Sequence, residues 1–111
     1  MKTASIIVAI ILCLSFAGIL SAGNSGEEIF KSKGCIFCHK AGSRSTGTIP
    51  SLSELAKAYK GKQNQLVKYL NGQADPIIKP ERAVIMKRQI EKTKALSDSD
   101  RTALADFMLS H

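Results

Sequence analysis

Apolar residues recur along this chain at helical intervals and almost nowhere at the two-residue interval of a strand. Leu52, Leu55, Ala56 and Tyr59 stand at i, i+3, i+4 and i+7. Ser51 precedes them and Glu54 follows it by three residues, so the spacing predicts a helix that opens on a capping box and stops near Gly61. Leu66, Tyr69 and Leu70 predict a further stripe ending at Asn71 and Gly72, the residues that most easily take a left-handed cap. Upstream, Gly26 to about Lys33 reads as a helix with Ile29 and Phe30 on its apolar face. Its first turn holds Glu27 and Glu28, where the helix dipole favours anions. Downstream, Ala74 to Lys79 reads as irregular, and Pro80 suits the first turn of a helix running to about Glu91. Ser97 caps the last helix, with Asp100 in the capping-box position and Leu104, Phe107 and Met108 on one face. The expected fold class is all-α, with about five short helices.

The first two dozen residues have a different pattern. Lys2 is followed by an apolar run from Ile6 to Leu14 and on to Leu20, closing on the small residues Ser21, Ala22 and Gly23. That order predicts a cleaved signal peptide over residues 1–23, a mature domain over 24–111 and a periplasmic location. An uncleaved anchor is the competing reading, because Ala4 to Ala22 approaches the ~20 residues that span a bilayer. Membrane association is expected only in that case. Cys13 follows the bulky Leu12, which argues against a lipoprotein signal.

The mature 88 residues make one domain whose stability is marginal without help. Only Cys35 and Cys38 remain for a disulfide, so a covalently held cofactor is the better candidate for completing the core. With Lys2 removed, 15 Lys and Arg face 9 Asp and Glu, a formal charge of +6. Partners with acidic docking faces are expected. Nucleic acid is not, since the cations are scattered from Lys31 to Arg101 instead of forming one run.

Cys35, Ile36, Phe37, Cys38 and His39 spell C-x-x-C-H, the attachment motif of c-type haem. Two cysteines three residues apart on a helical turn present both sulfurs to one side, each able to form a thioether with a haem vinyl group. The adjacent imidazole is then a suitable axial donor. Given this chain's Cys and His content, the motif arises by chance on the order of once in a thousand such sequences, which outweighs the alternatives. A thiol-redox C-x-x-C wants a βαβ setting that the pattern lacks. A zinc site needs more ligands than the one other histidine, the terminal His111, supplies. A structural disulfide leaves His39 without a role.

On these residues the sequence resembles the class I cytochromes c, and the resemblance runs over the whole mature chain. Gly26, Glu27, Glu28, Ile29 and Phe30 resemble the family's Gly-x-x-Ile-Phe, and Leu104 and Phe107 its C-terminal apolar and aromatic pair. In the family these two helices cross at that glycine. The segments Gly61 to Gly72, Ala83 to Lys87 and Leu96 to His111 resemble most closely the small monohaem cytochromes of thermophilic hydrogen- and sulfur-oxidising bacteria. The resemblance implies one covalent haem c held by two thioethers, His39 and Met86 as axial ligands, and the Pro50 carbonyl as acceptor for the second ring N–H of His39. Two departures stand out. Lys87 and Arg88 follow Met86 where many relatives have proline, and Ile49 replaces the glycine that usually precedes Pro50.

The function this implies is outer-sphere transfer of one electron by a monomeric carrier, not an enzyme. Leu52, Leu55, Tyr59, Leu66 and Leu70 are expected to wall the haem, with Leu52 and Tyr59 as contact residues. Met86 and Met108 are the only methionines left after processing. Met108 fits core packing on the face of Leu104, whereas Met86 sits on a helix able to turn one sulfur inward. The rival readings are a haem subunit of a periplasmic sulfur-oxidising or other oxidoreductase complex, and a haem sensor with an open iron site.

Overall fold

The computed structural model describes residues 25–42 and 49–111. Residues 1–23, read from sequence as a signal peptide, and most of the Ala41–Pro50 stretch lie outside the described residues. The regular elements among the described residues are all helical: α1 (Gly26–Ser32), α2 (Leu52–Ala58), α3 (Gln63–Leu70), α4 (Ala83–Lys94) and α5 (Asp98–Leu109). Short 3-10 turns at Cys35–Phe37 and Pro80–Arg82 lead out of α1 and into α4. No described helix is long and apolar enough to cross a membrane.

Local chemistry sets the helix starts. Ser25 Oγ accepts from the Glu28 N–H. At α2 the capping box is complete, with Ser51 Oγ accepting from Glu54 N–H at 3.2 Å and the Ser51 N–H donating to Glu54 Oε2 at 3.0 Å. At α5 the cap is one-sided, Ser97 Oγ accepting from the Asp100 N–H; aspartate is a methylene shorter than the glutamate of a full box. Past α3 it is Gly72, at φ 70°, that turns left-handed, while Asn71 keeps φ −89°. Pro80 stands in the 3-10 turn ahead of α4, not in the helix proper.

α5 is the hub, packed against α1, α2 and α3. The α1–α5 crossing is close because Gly26 carries no Cβ: one built there would lie 2.1 Å from the Ala103 carbonyl oxygen and 2.6 Å from Phe107 Cβ. The Phe30 and Phe107 rings meet at 5.3 Å in a tilted pair. Ile29, Phe30, Leu55, Tyr59, Leu66 and Leu104 are buried in the resulting core. Each contributes roughly 1.5–3 kcal/mol by leaving water. α4 is the exception. Its buried residues, Ile90 and Thr93, both lie in its second half, and Val84 and Ile85 near its start are 77% and 55% exposed. The space beneath that first half is the cavity.

Candidate functional site

The C-x-x-C-H segment folds as one local turn. Gly34, at φ 77°, reverses the chain after α1, a conformation any side chain would strain. Cys38 N–H and His39 N–H then both donate to the Cys35 carbonyl, at 3.2 and 2.8 Å. This leaves the Cys35 side chain half-buried, Cys38 exposed and the His39 ring buried. Burial pushes the Cys35 thiol above its ordinary pKa.

His39 is oriented by its neighbour across the loop. Its Nδ1 lies 2.8 Å from the Pro50 carbonyl oxygen. A carbonyl can only accept, so Nδ1 carries the proton and the free lone pair belongs to Nε2. Pro50 is held in turn by the residues next to it. The Ser51 capping box fixes the start of α2, and the Leu52 N–H donates back to the Lys40 carbonyl at 2.9 Å.

The cavity has two chambers. The inner one runs beneath α4 toward the core. Its walls include Leu55 and Tyr59 of α2, Leu66, Tyr69 and Leu70 of α3, Ile78 of the irregular segment, and Leu104 and Met108 of α5. The outer one opens past Phe37, Cys38, Ile49 and Ile85. Both chambers are lined by Cys35, His39, Pro50, Arg82, Met86 and Gln89, so these residues form their common boundary.

Of the residues singled out from sequence, Cys35, His39, Pro50, Tyr59 and Met86 come together around the inner chamber, and Cys38 at the mouth of the outer one. Leu52 does not. It is buried in the core but lines neither chamber, because the α2 stripe splits into two i,i+4 rows: Leu55 and Tyr59 face the cavity, while Leu52 and Ala56 pack away from it. Met108 lines the inner chamber while belonging to the core cluster. Met86 alone of the two methionines borders both chambers with His39.

Sequence reasoning did not find Gln89 and Thr93, which lie three and seven residues after Met86 and share its face. That spacing was the available signal. It also missed Pro76, Ile78 and Lys79, for which the sequence offers no periodicity. Their segment is tied down by the Ile77 N–H donating to the Tyr59 hydroxyl at 3.3 Å. Burial raises the pKa of Tyr59, and burial together with the neighbouring Tyr59 pushes Tyr69 up to about 12.

A thiol-bearing turn, an imidazole prepared on Nε2 and a thioether bordering the same apolar cavity are a donor set that fits a c-type haem. The sequence profile of the family described as Cytochrome c matches residues 24–111, which is 88 of the 111 residues. The chain belongs to the cytochrome c family. Membership brings a covalently bound c-type haem and haem-based electron transfer, and it agrees with the all-helical architecture. A comparison with curated proteins gives no match to this cytochrome c chain.

Proposed function

We propose that this cytochrome c is an exported, monomeric carrier that moves one electron at a time on a single haem, with His39 and Met86 as axial ligands and thioethers to Cys35 and Cys38. The observation that carries the reading is the paired boundary of the cavity, His39 with its Nε2 free and Met86 bordering the same two chambers. Within the family, the reading places the chain beside the small monohaem cytochromes of thermophilic hydrogen- and sulfur-oxidising bacteria that its sequence resembles.

When bound, the haem iron supplies a one-electron couple. The protein's part is to hold it. Pro50 fixes the His39 ring and, by accepting the hydrogen bond from Nδ1–H, raises the basicity of Nε2. Met86 offers a soft sulfur, which favours the ferrous state and raises the potential. Leu55, Tyr59, Leu66 and Leu70 keep water from the inner chamber, which acts in the same direction. The open outer chamber, flanked by Lys33 and Lys92, gives an acidic partner close approach without bond making.

The test is the absorption spectrum of the purified protein, oxidised and then reduced. A low-spin haem with the weak sulfur-to-iron charge-transfer band is expected. A high-spin spectrum overturns the carrier reading in favour of an open-site haem.

A further inference from the structure

At the end of the cavity nearest the α4–α5 junction, Thr93 and Arg101 form a polar node with no part in ligating the iron. Both are buried, at 4% and 3% exposure. Thr93 Oγ1 donates to the Leu70 carbonyl at 2.6 Å, with the Ile90 carbonyl of its own helix at 3.1 Å. Leu70 ends α3, so this bond satisfies one of the acceptors that a helix terminus leaves open. The Thr93 carbonyl in turn accepts from Arg101 Nε at 3.1 Å. Arg101 Nη2 reaches the carbonyls of Lys94 at 2.9 Å and Leu96 at 2.6 Å. Its Nη1 meets Asp98 Oδ1 at 2.8 Å, but that carboxylate is fully exposed and screened. The carbonyls at the negative end of α4 are therefore the main seat of this buried cation.

Three helix ends meet here, and all three helices wall the cavity, α5 through Leu104 and Met108. α3 brings Leu66 and Tyr69 to it, and α4 brings Met86 and Gln89. Thr93 lines the cavity as well. It stands seven residues beyond Met86, two turns and about 10 Å along the same face of α4. Because the buried residues of α4 are Ile90 and Thr93, its Met86 half projects from an anchor in the second half.

We infer that Thr93 and Arg101 are positioning residues whose node sets the seat of α4 and thereby how firmly the Met86 sulfur is held against the iron. This rests on Met86 being the axial ligand.

The experiment uses the haem-loaded protein well below its unfolding temperature. Imidazole competes for the sulfur's place, and loss of the sulfur-to-iron band reports its binding. Thr93→Val removes the hydroxyl at nearly constant volume and leaves the Leu70 carbonyl unsatisfied; Thr93→Ser keeps the donor. Thr93→Val should bind imidazole about fivefold more tightly than the parent, the population change that the net worth of one hydrogen bond produces. Thr93→Ser should match the parent. Unchanged imidazole affinity in Thr93→Val, with only a lower thermal midpoint by circular dichroism, makes the node ordinary packing and overturns the inference. Arg101→Lys keeps the charge but loses the fork, and should shift affinity the same way. If Thr93→Val yields no folded holoprotein, Arg101→Lys decides alone, and parent-like affinity there overturns the inference too. A parent protein with no sulfur band would defeat the Met86 assignment itself, a failure distinct from an unchanged affinity.

Discussion

Gly26→Ala sets two effects of opposite sign against each other. Replacing glycine by alanine in a helix normally stabilises by about 0.4–1 kcal/mol, because the unfolded chain has less freedom to lose. Here the new methyl would stand 2.1 Å from a backbone oxygen of α5 and 2.6 Å from Phe107 Cβ, where ordinary contact begins near 3.4 Å. Neither neighbour is the free end of a flexible side chain, so the helices themselves must separate by on the order of 1 Å. Overpacking of this kind costs about 1–3 kcal/mol and occasionally more. The separation also opens the Phe30–Phe107 contact, worth about 0.5–1.5 kcal/mol beyond area burial. The clash wins by about 2 kcal/mol. At this chain size that lowers the thermal midpoint by roughly 10 °C. The assay is thermal unfolding of the holoprotein at fixed pH, followed by the far-ultraviolet circular dichroism of its helices. An unchanged or raised midpoint would refute the reasoning, because it would mean that the α1–α5 contact yields without cost.

Ser51→Ala removes the α2 cap and should cost about 1 kcal/mol, lowering the midpoint by roughly 4–8 °C; a loss within error would mean that the box contributes nothing. Tyr69 is protonated in the folded state up to about pH 12, against an ordinary value of 10.0 for the free side chain, so the unfolded chain gives up this proton first as pH rises. Stability from this group is present below pH 10 and drains away between there and about 12. Tyr69→Phe should flatten denaturant midpoints across that window, and a slope as steep as the parent's would remove Tyr69 as its source. Met86→Ala should abolish the sulfur-to-iron band and lower the potential by an appreciable part of the ~0.8 V that axial ligands command. Met108→Leu should leave the band in place, and the reverse pattern would exchange the two roles.

Sequence made legible those features that near neighbours along the chain determine. The Ser51–Glu54 box, the Leu55–Tyr59 row and the C-x-x-C-H turn are each complete within a few residues, and the structure forms them accordingly. Leu52 shows the limit, since periodicity puts it on the same stripe as Leu55 but cannot say which edge of that stripe meets the cavity. The segment before Pro80 reads as irregular and is so, but its place in the cavity wall was hidden because its tie, Ile77 to the Tyr59 hydroxyl, joins residues 18 apart. Lys79 adds a left-handed backbone at φ 47° that its residue type does not announce. Arg101 misled in another way. Counted there only as one of the scattered cations, it is interior and directs its donors mainly to the end of α4.

The bonds on either side of the His39–Pro50 connection bear on the length of chain between them. Leu52 N–H to Lys40 and His39 to Pro50 staple the two ends of the segment to each other. The imidazole is thus held in orientation where the two ends meet. Closing a loop of doubled length costs only about 0.6 kcal/mol more. A change of length between the two bonds therefore costs little through loop closure, and the hydrogen bond that orients the His39 ring depends on its two ends alone being brought together.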